Sequence, residues 1–390
     1  MCIRDSKKRV LYCAFETFCK TGHDSGGYDA FCMENASWLD DYALFVVLKN
    51  RFNHEVWSNW PDEFKNRHGE ALNGFRQQES KSLNREKFLQ YLFYKQWLSV
   101  KKYCNEKRIE IIGDLPIYVS YDSADVWSHP DIFKLDENRK LVYVAGVPPD
   151  YFSKTGQLWG NPVYEWEKHK KTGFTWWMER FSHNLMLCDI VRLDHFRGFV
   201  SFWQVPASHK TAIDGEWCDA PVYDFFETLK MHFPELPIIA EDLGIITDDV
   251  RHVMGHFGFP GMKVLLFAFG EDNPYNPYLP HNYHNRCVVY TGTHDNNTAK
   301  GWFQKEADIN SKKRLSMYLG RGVSADTVHD NLIRLAMMSV ADTVILPMQD
   351  LLGLDQKARM NVPAVAGGNW IWRMTKNQAT QSLAGKLREM

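Results

Sequence analysis

Short apolar runs that end in polar residues, separated by helical stretches, are the feature of this sequence that most restricts its fold. Such runs lie at 109–119, 190–194, 237–241, 262–267, 287–291 and 343–347. Runs rich in β-branched residues that alternate with helical segments predict parallel β/α units. Several of the runs end in a carboxylate or a histidine, and a (β/α)8 barrel carries its active-site residues at the C-terminal ends of its strands. The pattern therefore predicts a barrel with an active site at one face.

A doubly wound open sheet would also alternate strands with helices. That fold usually carries a glycine-rich phosphate loop after its first strand. Neither G-x-G-x-x-G nor G-x-x-x-x-G-K-[ST] occurs in this chain. The absence of these motifs favours the barrel.

The first third of the chain is predicted to be helical. Apolar residues at three- and four-residue spacing predict helices over 36–52 and 82–108, with Asn35 and Ser82 as their N-caps. Neither helix carries chemistry by itself. We therefore expect a helical segment at 1–108 that precedes the barrel strands.

The barrel is expected to span 109–375 and to carry an insertion. Asp114 and Asp194 are 80 residues apart (194 − 114), which exceeds one ordinary β/α unit. The intervening segment at about 130–180 is rich in glycine, proline and aromatic residues. This composition predicts a shaped binding loop on the barrel rim rather than a helix.

Charge and hydropathy exclude several classes of protein. The 390 residues contain 46 Lys plus Arg against 48 Asp plus Glu, so no general attraction to nucleic acid or to anionic lipid is expected. No apolar run approaches the roughly 20 residues that cross a bilayer, and the N-terminal residues lack the apolar core of a signal peptide. These observations predict a cytoplasmic protein with no nucleic-acid or membrane partner.

Metal and disulfide sites are not indicated either. The eight cysteines are scattered without a CxxC pair, which argues against a zinc site and a disulfide framework. No H-x-x-x-H or E-x-x-H constellation coincides with a predicted strand end. We therefore expect no metal and no cofactor.

The strand ends carry carboxylates suited to acid–base and nucleophilic chemistry. Asp194 ends one strand, and Arg192 shares its strand face by the period-two geometry of a strand, so a guanidinium would keep Asp194 ionised. Glu241 follows an apolar run that would desolvate it and raise its pKa, whereas Asp242 alternates to the other face and is interpreted as structural. Retaining glycoside transfer needs two such carboxyl groups about 5 to 5.5 Å apart.

A third strand end carries His294 and Asp295, which are suited to binding the hydroxyls of a distorted sugar ring. Each element taken alone also has a simpler interpretation. An Asp or Glu that follows a strand is often only the N-cap of the next helix.

Seven segments in order support a resemblance to a known family. They are WLDDYALF, GDLPIYVSYDSADVW, GVPPDYFSKTGQLWGNPVY, RLDHFRGF, AEDLG, THDN and RMNVPAVAGGNWIWR. Together they resemble glycoside hydrolase family 77, the 4-α-glucanotransferases, from about residue 30 to 375. RLDHFRG, AEDLG and THDN are shared loosely by the wider α-amylase clan, whereas the aromatic loop and GNWIWR narrow the resemblance to this family. It implies a (β/α)8 TIM barrel of the α-amylase clan with inserted subdomains.

The resemblance also implies a role for each residue at the strand ends. Asp194 is similar to the family's nucleophile, Glu241 to its acid/base and Asp295 to its transition-state stabiliser. The residues expected to bind the sugar or support the site are Arg192, His294, Asn296 and Asp114.

The aromatic loop has an implied role as well. Tyr151, Phe152 and Trp159 match aromatic residues that line the glucan path, where stacking favours a sugar hydroxyl over water as acceptor. The implied reaction is transfer of 1,4-α-glucan segments between maltooligosaccharides, without metal or cofactor. Two alternatives are a hydrolase of the same clan and an inactive glucan-binding fragment.

The start of the chain departs from the family pattern. Family members begin the barrel with two strands that carry W-Q-x-L-P and D-S-P-Y runs, and neither run occurs here. Six predicted strands in place of eight give the same deficit. We therefore expect an N-terminally incomplete chain whose barrel lacks its first two strands and exposes two sheet edges, which would make it marginally stable or prone to aggregation.

Overall fold

The computed structural model describes residues 3–149, 153–363, 365 and 367–389. The chain divides into two compact units, Met1–Ile238 and Ile239–Met390. None of the described helices is both long enough and apolar enough to cross a membrane.

The first unit begins with helices. In chain order they are α1 Ile3–Thr21, α2 Ser25–Glu34, α3 Ala36–Arg51, α4 Asp62–Lys65, α5 Gly69–Gln78 and α6 Ser80–Glu106. Aromatic side chains from α1, α2, α3 and α6 form a common core, in which the rings of Phe15 and Phe88 lie 5.5 Å apart. The amphipathic spacing that predicts α3 and α6 produces this core, because residues three and four apart share one helix face.

Neither of the two predicted N-caps forms a side-chain capping bond. Asn35 precedes α3, but its Oδ1 accepts from the indole of Trp38 at 3.0 Å and its Nδ2 donates to the Phe31 carbonyl at 2.9 Å. The sequence pattern predicts Ser82 as the N-cap of a helix, but α6 begins two residues earlier, at Ser80, and includes Ser82. Its hydroxyl donates to the carboxylate of Glu79 at 2.7 Å. The competing partners explain both results, since an engaged side chain does not cap the backbone.

The rest of the first unit mixes strands with helices. The elements are β1 Ile112–Pro116, α7 Ala124–Ser128, β2 Tyr143–Val147, β3 Gln157–Pro162, α8 Trp166–Lys171, α9 Thr175–Leu187, β4 Ile190–Asp194, β5 Ser201–Pro206, β6 Glu216–Asp219 and α10 Val222–His232. Strand β7, Ile238–Ala240, follows and contains the boundary between the units. β1 and β4 pair in parallel, with Asp114 opposite Arg192.

Much of the segment predicted as a rim loop has regular structure. β2 and β3 form an antiparallel pair, and β5 and β6 extend it into a four-stranded sheet in the order β3-β2-β5-β6. Gly146 allows the close approach of β2 to β3, since a Cβ there would lie 2.4 Å from the Gln157 carbonyl oxygen. Sequence composition missed this sheet because β2 pairs with β5 across a long stretch of chain.

The second unit carries the remaining elements. They are α11 Asp248–Phe257, β8 Gly261–Val264, β9 Cys287–Tyr290, α12 Ala299–Lys305, α13 Ile309–Leu319, α14 Val328–Met337, β10 Thr343–Ile345, α15 Met348–Leu351 and α16 Gln381–Arg388. β8, β9 and β10 form a parallel sheet with β9 in the centre. All four residues of β9 are buried, as expected for a parallel strand covered on both faces.

Each of the six predicted apolar runs contains or overlaps a strand, which confirms their positions but not all of their lengths. β1 is three residues shorter at each end than the run at 109–119. At its N-terminal end the Ile111 N–H donates to the Asp189 carboxylate at 2.8 Å instead of to a strand. The run at 262–267 ends as a 3-10 helix at Leu265–Phe267. Apolar composition locates a strand, whereas hydrogen-bond partners decide where it stops.

Candidate active site

A guanidinium bridges a carboxylate in the middle of β1 and a carboxylate at the end of β4. Arg192 donates from Nε to Asp114 Oδ1 at 2.8 Å and from Nη2 to Asp114 Oδ2 at 3.0 Å. Its Nη2 also donates to Asp194 Oδ1 at 2.8 Å. This geometry confirms that Arg192 and Asp194 share a strand face, and it arises because the parallel register places Asp114 opposite Arg192.

Burial is unequal within this trio. The side chain of Arg192 is 11% exposed, whereas those of Asp194 and Asp114 are 41% and 46% exposed. Charge-assisted hydrogen bonds to a buried guanidinium are strong and hold a carboxylate in a fixed direction. Asp194 is therefore accessible to a ligand, while the hydrogen bond from Arg192 fixes its orientation.

The residue after Asp194 links the strand end to the aromatic segment. His195 has a left-handed backbone with φ of 49°, and the residue is partly buried. Burial lowers the pKa of His195 to about 4, and the positive charge of Arg197 acts in the same direction. The ring is therefore neutral at pH 7, and Trp159 packs against it edge-on at 4.8 Å.

Of the three aromatic residues predicted to line the glucan path, Trp159 lies within the described residues. Trp159 lies on β3 and is 37% exposed, and its ring also lies 6.1 Å from that of Tyr118. Tyr151 and Phe152 lie outside the described residues. The structure therefore brings one of these three aromatics next to the residue that follows Asp194.

In the second unit, Glu241 and Asp242 follow β7 and differ in their contacts. Glu241 is partly buried, and its Oε1 accepts from the Leu243 N–H at 2.9 Å. Asp242 accepts from the Met262 N–H at 2.6 Å at the start of β8, in agreement with its structural interpretation. Burial raises the pKa of Asp242 to about 6, although the charge of Lys263 opposes the shift.

Tyr278 is a neighbour of these carboxylates that sequence reasoning did not identify. Burial raises the pKa of its hydroxyl to about 12, and the negative charges of Asp242 and Glu241 add to this effect. Its phenol therefore stays protonated well above neutral pH. No local pattern marks Tyr278, because it lies in a loop 37 residues after Glu241 (278 − 241).

The third predicted site lies after β9. Asp295 Oδ1 accepts from Asn361 Nδ2 at 2.6 Å, and Asp295 Oδ2 lies 3.5 Å from His294 Nε2. The ring of His294 lies 5.2 Å from that of Trp370, which is 51% exposed. The structure thus brings His294 and Asp295 together and adds Asn361 and Trp370, both from the segment RMNVPAVAGGNWIWR.

Asn296 has a role within its own turn. Its Oδ1 accepts from the Thr293 N–H at 2.8 Å and from the Thr293 hydroxyl at 3.0 Å. These bonds shape the loop that presents Asp295. Contact of Asn296 with a sugar stays a prediction.

The buried carboxylate of Asp350 holds both ends of the loop that presents Asp295. Asp350 is 1% exposed and accepts from Thr291 Oγ1 at 2.6 Å and from the Ala299 N–H at 2.7 Å. It thereby connects the end of β9 with the start of α12, on either side of Asp295. Burial raises the pKa of Asp350, and the two hydrogen bonds oppose that shift.

Metal ligands are not grouped in the part of the chain that the structure describes. No three His, Cys, Asp or Glu side chains there form a set that could hold a metal ion. The chemistry available at the three strand ends is that of carboxylates, a buried guanidinium, imidazoles and aromatic faces.

Comparisons with known proteins agree on one family. The family profile described as glycoside hydrolase 77, 4-alpha-glucanotransferase, matches residues 2–379. The chain is 51% identical over 360 residues to a 4-alpha-glucanotransferase of Synechocystis sp., covering 92% of this chain and 71% of that protein. It is 46% identical over 375 residues to a 4-alpha-glucanotransferase of Aquifex aeolicus, covering 96% and 76%.

Solved structures give the same result. The fold is similar to that of amylomaltase from Streptococcus agalactiae in complex with acarbose, with a TM-score of 0.94 and 39% identity over 99% of this chain and 77% of that one. Amylomaltase from Corynebacterium glutamicum, at 17% identity, has a TM-score of 0.76 over 99% of this chain and 57% of that one.

Proposed function

This chain belongs to glycoside hydrolase family 77, the 4-alpha-glucanotransferases, and from that premise we propose that Asp194, Glu241 and Asp295 carry its reaction. The fold is the TIM barrel of the α-amylase clan. The enzyme transfers segments of 1,4-α-glucan between chains. The alternatives of a hydrolase and of an inactive fragment are not favoured by these relatives.

In the first step of the proposed mechanism, Asp194 attacks the anomeric carbon of the donor glucan. The bond from that carbon to the glycosidic oxygen breaks, and Glu241 gives its proton to the departing oxygen. A glycosyl ester on Asp194 results. In the second step Glu241 takes the proton of an acceptor hydroxyl, whose oxygen displaces Asp194 from the same carbon, so the configuration is retained.

The observation that carries this assignment is the bridge from Arg192 to both Asp114 and Asp194. A nucleophilic carboxylate needs to be ionised, oriented and accessible. The 2.8 Å hydrogen bond from Arg192 supports the ionised form and the orientation, and the 41% exposure of the Asp194 side chain supports access. Asp114 supports the site by fixing Arg192 through two further hydrogen bonds.

The second unit contributes the transition-state stabiliser in this proposal. As the glycosidic bond breaks, the sugar ring becomes oxocarbenium-like and flattens, and its hydroxyl groups change position. Asp295 and His294 bind these hydroxyls, and their hydrogen bonds accelerate the reaction only if they are stronger in the transition state. The side chain of Asp295 is 47% exposed, which supports contact with a ligand.

The glucan itself is held by aromatic faces. Trp159 offers a partly exposed ring beside the residue that follows Asp194, and Tyr151 and Phe152 are proposed to extend this path. Asn296 is proposed to contact the sugar next to Asp295. A sugar bound on this path keeps its hydroxyl close to the glycosyl ester, so transfer outcompetes hydrolysis. We also propose that acarbose, which the streptococcal relative binds, occupies the same path.

The strand order supports a proposal on domain layout. We assign β1, β4, β7, β8, β9 and β10 to the third through eighth barrel strands, within 109–375. The helical segment at 1–108 then precedes the third strand, and the antiparallel sheet that includes the segment at about 130–180 decorates the rim.

Incubation of the purified chain with maltotriose tests the proposed function. We expect a ladder of products both longer and shorter than the substrate, because each glycosyl segment leaves one molecule and joins another. Resolution of the products by chromatography would show it. Products that are exclusively shorter than maltotriose would identify a hydrolase instead.

A further inference from the structure

The carboxylate of Asp295 is held by a residue that lies 66 positions further along the chain. Asn361 Nδ2 donates to Asp295 Oδ1 at 2.6 Å. The other oxygen, Oδ2, lies 3.5 Å from His294 Nε2. The side chain of Asp295 is about half exposed, so the bond from Asn361 restricts a group that could otherwise change rotamer.

The amide of Asn361 is itself held in place by the backbone around Asp295. Its backbone N–H donates to the His294 carbonyl at 3.1 Å. Arg359 donates to the Asp295 carbonyl at 2.6 Å and to the Asn361 carbonyl at 2.8 Å. The guanidinium of Arg359 also forms an ion pair with the carboxylate of Glu306 at 3.3 Å. The donor and its acceptor are therefore fixed to one another before any ligand arrives.

We propose that Asn361 is a positioning residue that directs the carboxylate of Asp295 toward the reacting sugar, an inference that rests on the proposed function of Asp295. The neutral amide occupies Oδ1 without adding charge, which leaves Oδ2 for sugar hydroxyls. Asn361 acts through Asp295 and has no contact of its own with the sugar. A preorganised acceptor needs no reorientation when the sugar ring flattens, so the effect falls on the transition state.

Replacement of the amide tests this assignment through kinetics. Asn361→Ala removes the donor, and we expect kcat to fall on the order of 10- to 100-fold, the usual loss for a hydrogen bond to a charged group. KM should change by less than about 3-fold, because the lost interaction is made in the transition state. Circular dichroism and a thermal melt establish that the variant is folded.

The nearly isosteric variant Asn361→Asp gives a sharper readout. At low pH a proton shared between the two carboxyl groups replaces the amide hydrogen, whereas at higher pH both groups ionise and repel one another. We therefore expect the activity of Asn361→Asp, relative to the parent chain, to fall as pH rises from about 5 to 8. His294, Arg359 and Glu306 are present in both proteins, so the ratio isolates position 361.

Two controls separate the possible outcomes. Asn369→Ala loosens the same segment, since Asn369 accepts from the Val362 N–H at 3.0 Å and donates to the Val365 carbonyl at 2.8 Å. It should lower kcat less than Asn361→Ala and show no pH-dependent ratio. Asp295→Asn, measured in parallel, tests the function on which the proposal depends.

The positioning role is overturned if Asp295→Asn abolishes activity while Asn361→Ala keeps kcat within about 3-fold of the parent. It is also overturned if the activity of Asn361→Asp relative to the parent chain does not change with pH. This second test applies even if Asn361→Ala does not fold. If Asp295→Asn is itself active, the proposed function of Asp295 fails.

Discussion

Arg192 and Asp194 lie two residues apart on one strand, and the guanidinium Nη2 of the first donates to the carboxylate Oδ1 of the second at 2.8 Å. The same guanidinium binds Asp114 on the neighbouring strand. A planar donor group of this kind can serve two carboxylates at once, whereas an ammonium group acts as a point charge. The fold thus combines an exposed carboxylate with a largely buried cation.

Loss of the carboxylate charge at position 194 should abolish the reaction. Asp194→Asn keeps the shape of the side chain but removes the proposed nucleophile, so we expect activity on maltotriose to fall more than about a thousandfold. Mass spectrometry of the denatured protein should detect no glycosyl adduct. Asp131→Asn is the matched control, because Asp131 is an 80% exposed surface carboxylate in the same unit. Residual activity above a thousandth would contradict the nucleophile role.

A lysine should not replace Arg192. Arg192→Lys keeps the positive charge but cannot donate to Asp114 and Asp194 with the same fork geometry, so we expect kcat to fall roughly 100-fold. Arg251→Lys is the control, since Arg251 forms an exposed pair with Asp248 and should behave like the parent. Equal kcat values for Arg192→Lys and the parent chain would show that charge alone suffices.

Removal of the Trp159 ring should shift the balance from transfer to hydrolysis. Trp159→Ala deletes a partly exposed ring beside His195, the residue after Asp194, and we expect the ratio of transfer to hydrolysis to fall roughly 5-fold, since one stacked ring contributes about 1 kcal/mol. The transfer-to-hydrolysis ratio of Trp159→Phe should lie between those of the parent chain and of Trp159→Ala. The exposed Tyr103→Ala provides an aromatic control away from the strand ends. Quantification of free glucose against longer oligosaccharides measures the ratio, and an unchanged value would exclude stacking by Trp159.

The buried carboxyl group of Asp242 predicts a stability that depends on pH. Its folded pKa of about 6 lies above the ordinary value of 3.8, so the folded state favours the protonated form. This contribution is fully present below pH 3.8 and is lost as pH rises through 6. Asp242→Asn keeps an acceptor for the Met262 N–H but removes the charge. We therefore expect it to raise the melting temperature more at about pH 7.5 than at about pH 4.5.

An exposed carboxylate provides the comparison for this effect. Asp248→Asn, at an 88% exposed position, should shift the melting temperature equally at both pH values. A lower melting temperature for Asp242→Asn at the higher pH would mean that the charge at 242 stabilises the fold.

A glycine at the start of β8 is required by the same carboxyl group. A Cβ at Gly261 would lie 2.6 Å from Asp242 Oδ2, so Gly261→Ala should destabilise the protein by about 1 to 3 kcal/mol. Gly255→Ala is the matched control, because no atom lies within 4 Å of a Cβ there and alanine favours the helix. Urea denaturation should move the two midpoints in opposite directions. A stability of Gly261→Ala equal to the parent's would show that Asp242 moves aside freely.

Local patterns in the sequence were sufficient for one part of this structure. Apolar runs located β1, β4, β7, β8, β9 and β10, and the signal is most direct in β7 and β9, where every residue is buried. Period-two geometry placed Arg192 with Asp194, because residues two apart on a strand share a face. The polar ends of those runs, together with the order of the family motifs, identified the three candidate carboxylates.

Tertiary structure alone decided the partners of those carboxylates. Asp114 reaches Arg192 over 78 positions through the register of β1 against β4, and Asn361 reaches Asp295 over 66. The antiparallel sheet of β3, β2, β5 and β6 likewise depends on pairing between distant segments. Propensity and periodicity describe only neighbours along a helix or strand, whereas these contacts depend on which segments pack together. The sequence by itself determined the strands and the residues at their ends, and the packing of distant segments determined how those residues are held.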